Sequence, residues 1–146
     1  MYSNILVPLD SSPRAEKILP YVEELARGFG STLVLLQIIE PLTADVSPYG
    51  VVPYYDTTMI EQWNEEAKTY LANLSATFSK KGIQVKTLIE NGPVVSSILR
   101  VAELEKVDLI ALASHGRTGL ARVFYGSVAA GILNQADRPL FLVRVQ

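Results

Sequence analysis

The stretch best equipped for chemistry runs from Ala113 to Ser127: Ala-Ser-His-Gly-Arg-Thr-Gly-Leu-Ala-Arg-Val-Phe-Tyr-Gly-Ser. It begins where the apolar run Leu109-Ile110-Ala111-Leu112 gives out, and it ends where a helical pattern, Val128 to Ala136, takes over. That is the layout of a strand, a loop and a helix start. Small residues at the strand exit (Ala113, Ser114) and at the helix entry (Gly126, Ser127) leave main-chain N–H groups uncovered by side chains. An anion can approach such groups closely, and the first turn of a helix favours negative charge. Phosphate is the obvious candidate. Ser127 could either cap the helix or offer its hydroxyl to phosphate or to a metal riding on it. Arg117 and Arg122 could neutralise phosphate oxygens or stand as solvated loop charges.

Much other chemistry is excluded by composition. With no cysteine and one histidine, His115, there is no thiol catalysis and no zinc or multi-histidine site, so any metal would be a hard cation carried in with phosphate. A net charge of -2 gives no basic field, which argues against nucleic acid as a partner. No Gly-Lys-Ser/Thr occurs, so a Walker-type phosphate loop is absent, and Gly28-Phe29-Gly30 closes a helix instead of opening one. His115 has no visible triad partner, and no catalytic residue is assigned. A chain of 146 residues, 49% of them hydrophobic, reads as one domain over 1–146 that buries roughly 70% of its unfolded surface. No apolar run reaches the ~18 residues needed to span a bilayer and no leader precedes the first strand, so cytoplasm is the default expectation.

The elements that must position this stretch follow from apolar patterning. Ile5 to Leu9 is a short β-branched run suited to a strand buried on both faces, and Ser12-Pro13 supplies a helix start. Ala15, Ile18, Leu19, Val22, Leu25, Ala26 and Phe29 form the stripe of a first helix that Pro20 should kink. Thr32 to Ile39 is a second strand. Residues 41–56, with three prolines, three tyrosines and one glycine, read as a long irregular loop, either a plain connection or a lid near the ligand. Thr58 and Glu61 make a capping box for a second helix with Ile60, Trp63, Ala67, Tyr70, Leu71, Leu74 and Phe78 inward, ended by Lys80-Lys81-Gly82. Val85 to Ile89 is a third strand. A third helix follows with Val94, Val95, Ile98, Val101, Ala102 and Leu104 inward, then a fourth strand, Leu109 to Leu112. A fourth helix contains Gly131, which is expected to allow close approach to the sheet. Leu140 to Val145 is a fifth strand. Strands alternating with helices call for a doubly wound α/β fold, a parallel sheet with helices on both faces.

The Ala113 stretch also resembles the nucleotide-binding signature of the universal stress protein family: Gly, two residues, Gly, nine residues, Gly, then Ser or Thr. Gly116, Gly126 and Ser127 match at that spacing, and Ala113 stands where the first Gly would be. The resemblance implies a Rossmann-like five-stranded sheet in the order 3-2-1-4-5, which makes strands one and four neighbours at the point where the winding reverses. Ligands of such sheets bind in the carboxyl-end crevice there. It also implies ATP or AMP as ligand, with Mg²⁺ carried by the phosphates. By residue match, adenine would lie against Pro8 and Leu9 on one side and Ile38 on the other. Asp10, at the end of strand one, would face Ser114 and Gly116 and accept hydrogen bonds from the ribose hydroxyls. The phosphate cradle would be Gly116, Arg117, Gly126, Ser127 and Val128, with Ala113 beside it. A homodimer through the apolar edge Leu140 to Val145 is implied as well. The leading expectation is an adenine-nucleotide-binding stress sensor or regulator, against a nucleotide-free dimeric interaction module of the same fold or a weak ATPase.

Overall fold

Strand residues alternate faces, and along three of the strands that alternation divides a continuous apolar run into two cores. In the computed structural model, which describes residues 1–40, 43–47, 50–53, 57–115 and 126–145, Ile5, Val7 and Leu9 of β1 (Asn4–Leu9) face one layer and Leu6 the other. Leu33 and Leu35 of β2 (Thr32–Ile39) and Leu109 and Ala111 of β6 (Leu109–His115) join the first layer; Val34, Leu36, Ile110 and Leu112 join the second. The first layer is closed by Ile18, by Val22 and Ala26 of α1 (Leu19–Phe29), and by Leu71 and Phe78 of α2 (Thr57–Lys80). The second is closed by Ile98, Val101 and Ala102 of α3 (Val94–Leu104) and by Ala129 and Ile132 of α4 (Ser127–Gln135). Each Val, Leu, Ile or Phe side chain fully buried here contributes about 1.5–3 kcal/mol.

Two further strands of the main sheet lie at its edges, β5 (Gln84–Asn91) and β7 (Leu140–Val145). The order is β5-β2-β1-β6-β7, all parallel, which counted along the chain is the expected 3-2-1-4-5. The region expected as an irregular loop instead contains a two-stranded antiparallel hairpin, β3 (Thr43–Ser47) with β4 (Gly50–Pro53). The β-branched residues Thr43, Val46, Val51 and Val52 suit strands, and Pro53 is tolerated because a two-stranded ribbon is all edge.

Helix starts and stops differ from the expected ones for local reasons. Ser12 does cap: its Oγ accepts the Ala15 N–H (3.1 Å). A 3-10 turn, Ala15–Ile18, then precedes α1, so Pro20 falls in the first turn of α1 and kinks nothing. At that place its missing N–H costs little. Helix α2 begins at Thr57, which puts Thr58 inside its first turn. At its end Gly82 (φ +79) allows the Ile83 N–H to reach Phe78 O and the Gly82 N–H to reach Ser79 O. That is a Schellman closure requiring a left-handed residue. Two residues expected inward are not: Phe29 is 46% exposed, laid edge-on against Tyr2, and Leu104 is 66% exposed. Helix α3 ends at Leu104, the chain turns at Lys106 (φ 51), and Val107 enters the core instead. Gly131 permits close approach to a helix, α3, and not to the sheet. A Cβ there would lie 2.7 Å from Val95 Cγ2.

The amino-terminal end of the sheet is tied across β1 and β6. Asp108 accepts the Ser3 and Asn4 N–H groups (2.8 and 3.1 Å), and the Asn4 amide reaches the Glu105 and Lys106 carbonyls. Arg138, before β7, donates to the Ala102 and Val107 carbonyls at 2.9 Å each and pairs with Glu103 and Asp137.

Candidate functional site

The sheet parts where β1 meets β6. Their ladder comprises Ile5↔Leu109 and Leu6↔Ile110 and stops, although β1 runs on to Leu9 and β6 to His115. On either side pairing continues, to Leu9↔Gln37 and to His115↔Val145. A cavity of about 150 Å³ opens at this parting. Its walls are Pro8, Leu9 and Asp10 from the end of β1, Leu36 and Ile38 from β2, and Leu112, Ala113 and Ser114 from β6. Ala15 of the 3-10 turn, Val94 and Ile98 of α3, and Gly126, Val128 and Ala129 complete it. Val94 opens α3, and Gly126 and Val128 bracket the start of α4, so two helix amino termini border one space. Each carries unpaired N–H groups and a partial positive charge.

The turn that bears Asp10 is closely specified. Asp10 Oδ1 accepts the Ser12 N–H (3.0 Å), which closes an Asx turn and leaves Oδ2 for another donor. Ser11 stands at φ 68, a region that non-glycine residues seldom occupy, and its Oγ donates to Gln37 Oε1 (3.3 Å). Opposite, Ser114 is 1% exposed, and its Oγ lies 3.4 Å from the Val143 carbonyl. Below the turn, the Tyr70 hydroxyl donates to Glu16 Oε1 (2.6 Å). Burial, then this bond, then the negative charges of Glu16 and Asp10 raise the Tyr70 pKa far above its ordinary value, so the phenol stays protonated as a donor.

Of the residues singled out in the sequence, Pro8, Leu9, Asp10, Ile38, Ala113, Ser114, Gly126 and Val128 meet around the cavity. Gly116 and Arg117 lie outside the described residues, as does Arg122. Ser127 is exposed and is the first residue of α4. Gly126 occupies the cap position, its carbonyl accepting the Ala130 N–H (2.9 Å), and no side-chain cap bond is made. Ser127 therefore does not cap the helix, and the cap position falls on Gly126, which has no side chain to offer the first-turn N–H groups. Missed in the sequence were Ala15, Leu36, Val94, Ile98, Leu112 and Ala129. Val94 and Ile98, four apart on the apolar stripe of α3, read as core because the same stripe serves both the core and the cavity. Trp63, also expected as core, is half-buried and lines a separate recess of about 280 Å³ with Ser11, Gln37, Ile38, Ile39, Glu40 and Glu66.

The arrangement suits a ligand with a flat apolar part, neighbouring hydrogen-bond donors and an anionic end. Aliphatic walls form the slot, one carboxylate can accept from hydroxyls, and helix amino termini favour the anion. Among the described residues no group of three or more His, Cys, Asp or Glu side chains could hold a metal ion, and no helix is long and apolar enough to cross a membrane.

Fold and cavity together define a doubly wound α/β protein with a cleft at the switch point of its sheet, the place where sheets of this kind take their ligands. The chain belongs to the universal stress protein family, whose sequence profile matches residues 1–144. A universal stress protein of Methanocaldococcus jannaschii is 28% identical over 155 residues, covering 99% of this chain and 96% of the relative. The universal stress protein YxiE of Bacillus subtilis is 27% identical over 148 residues, covering 99% and 100%. The solved structure of a Methanocaldococcus jannaschii protein superposes with a TM-score of 0.77 at 28% identity, covering 100% of this chain and 98% of that one. Two more distant neighbours share the fold: a universal stress protein in complex with cAMP (TM-score 0.66, 16% identity, 99% and 98% covered) and the Archaeoglobus fulgidus protein in complex with dAMP (0.66, 21%, 97% and 98%).

Proposed function

We propose that the protein binds an adenine nucleotide, ATP or AMP, in the cavity between β1 and β6, and acts as a homodimeric stress sensor or regulator in the cytoplasm. The observation that carries this reading is the parting of β1 from β6, with the Asp10 carboxylate and the amino termini of α3 and α4 bordering one aliphatic slot. Pro8, Leu9 and Ile38 would flank the base, and Asp10 Oδ2 would accept from the ribose hydroxyls. The amides around Gly126 and Val128, with Ser127, Gly116 and Arg117, would meet the phosphates, and Mg²⁺ would enter on a triphosphate. That family members of the same fold have been solved with cAMP and with dAMP supports an adenine nucleotide over other anions. Strand β7, an edge with half-buried Leu140, Phe141, Leu142, Val143 and Val145, supports pairing with a second copy.

Calorimetric titration with AMP and with MgATP tests the reading. Wild type should give saturable heat, Val128→Trp should bind at least about tenfold more weakly because the indole fills the slot, and Asp10→Asn should lose a smaller factor. Ala113, whose methyl group lines the cavity, favours a second reading, a nucleotide-free dimeric module. Under that reading wild type gives no heat with either nucleotide while its solution mass remains that of a dimer.

A further inference from the structure

One wall of the cavity is tied to an element that does not line it. Asp10 and Ala15 border the cavity, and the residues between and just after them are held by a relay of bonds. Ser12 donates its N–H to Asp10 and accepts the Ala15 N–H; Ser11, left-handed, is held to Gln37; Glu16 is held by the Tyr70 hydroxyl of α2. The 3-10 turn beginning at Ala15 is four residues long. Such turns have poor internal hydrogen-bond geometry, so their orientation depends on outside ties. Of those named, the phenol-to-carboxylate bond at 2.6 Å is the shortest, it has a charged acceptor, the kind that holds best, and it alone reaches across to α2. Ala15 and the Tyr70 ring also pack against the same core cluster.

From this geometry we infer that Tyr70 is a positioning residue for the ligand cavity, its hydroxyl acting through Glu16 to hold the Asp10–Ala15 wall where a ligand meets it. The inference rests on the adenine-nucleotide reading above. A wall already fixed costs the ligand less ordering on binding, so loosening it weakens affinity without removing a ligand contact. Trp63, the one tryptophan of the chain, lies seven residues before Tyr70 on α2, on the same helix face. It borders the recess behind Ser11, Gln37 and Ile38, so its emission reports on that wall from outside the cavity.

The test is AMP titration followed by heat and by Trp63 emission, on wild type, Tyr70→Phe, Glu16→Ala, Glu16→Gln and the Tyr70→Phe/Glu16→Ala pair. Tyr70→Phe and Glu16→Ala should each weaken AMP about fivefold to tenfold, and the pair no more than either alone, because one bond is being removed twice. Glu16→Gln keeps an acceptor oxygen and should stay within about twofold of wild type. The AMP-induced change in Trp63 emission should shrink in the first two variants and persist in Glu16→Gln. Wild-type affinity in Tyr70→Phe, or single losses that multiply in the pair, overturns the positioning role and leaves the nucleotide reading standing. Absence of AMP binding in wild type overturns both.

Discussion

The same chemical change, glycine to alanine, should have opposite signs at two helical positions, and the structure gives the reason. Gly28 and Gly131 lie inside α1 and α4, where alanine is favoured over glycine by about 1 kcal/mol in a helix interior. At Gly28 a new Cβ meets nothing within 4 Å, so Gly28→Ala should gain about 0.5 kcal/mol, reduced from the full value because the helix ends one residue later. At Gly131 the Cβ would stand 2.7, 3.3 and 3.5 Å from Val95 Cγ2, Cγ1 and Cβ. Carbon atoms sit at about 3.5–4.0 Å at optimum, so the nearest pair must separate by most of an ångström. Val95 is β-branched and stiff at χ1, so α4 has to move away from α3. Overpacking of this kind costs about 1–3 kcal/mol, which exceeds the propensity gain, and a net loss of about 1 kcal/mol is expected. Urea unfolding at unchanged m-value measures both variants, and Gly131→Ala/Val95→Ala should recover part of the loss by removing the clash. Since α3 and α4 both border the cavity, on the nucleotide reading proposed above Gly131→Ala should also weaken AMP. Gly131→Ala at or above wild-type stability would refute the argument that helix contact, not propensity, decides this position.

Arg138→Met keeps the aliphatic stem but deletes two charged hydrogen bonds to the Ala102 and Val107 carbonyls. It should cost about 2–3 kcal/mol, read in thermal melts as a drop of roughly 5–10 °C. Glu103→Gln and Asp137→Asn, whose side chains are 78% and 75% exposed, should each stay within about 0.5 kcal/mol of wild type. The Glu23 carboxyl is held below its ordinary 4.5 first by the hydrogen bond from Lys81, with the charges of Lys81 and Arg27 adding and partial desolvation opposing. A carboxyl shifted down in the folded state stabilises above its unfolded value, and that contribution is lost as pH falls through the folded one. The stability difference between wild type and Lys81→Met should therefore be present at neutral pH and shrink once pH drops below 4.5, as urea midpoints across that range would show.

The sheet was legible because a strand buried on both faces is apolar almost without interruption, and Ile5 to Leu9, Thr32 to Ile39 and Leu109 to Leu112 are all of that kind. Asp10 was legible because a polar residue directly after such a run stands at the carboxyl edge of the sheet, and Gly126 because a bare residue directly before a helical pattern marks a helix start. The Val94–Ile98 wall was not, since an aliphatic residue facing a cavity and one facing a core have the same signature. The β3–β4 hairpin was hidden by composition, because the prolines and tyrosines of 41–56 weigh toward a loop when counted, and Pro53 fits an edge ribbon only once its pairing with Thr43 is known. Tyr70 read as one member of a buried stripe. Periodicity reports where the ring goes and is silent on what the hydroxyl finds.

The two rungs that join β1 to β6 sit at the end of the sheet opposite the cavity. There Asp108 clasps the main chain of Ser3 and Asn4, and Arg138 gathers the end of α3 and the lead into β6. The direct ladder between the strand that leads to Asp10 and the strand that carries Ser114 is thus confined to the far end of the sheet, braced by Asp108 and Arg138, neither of which lines the cavity.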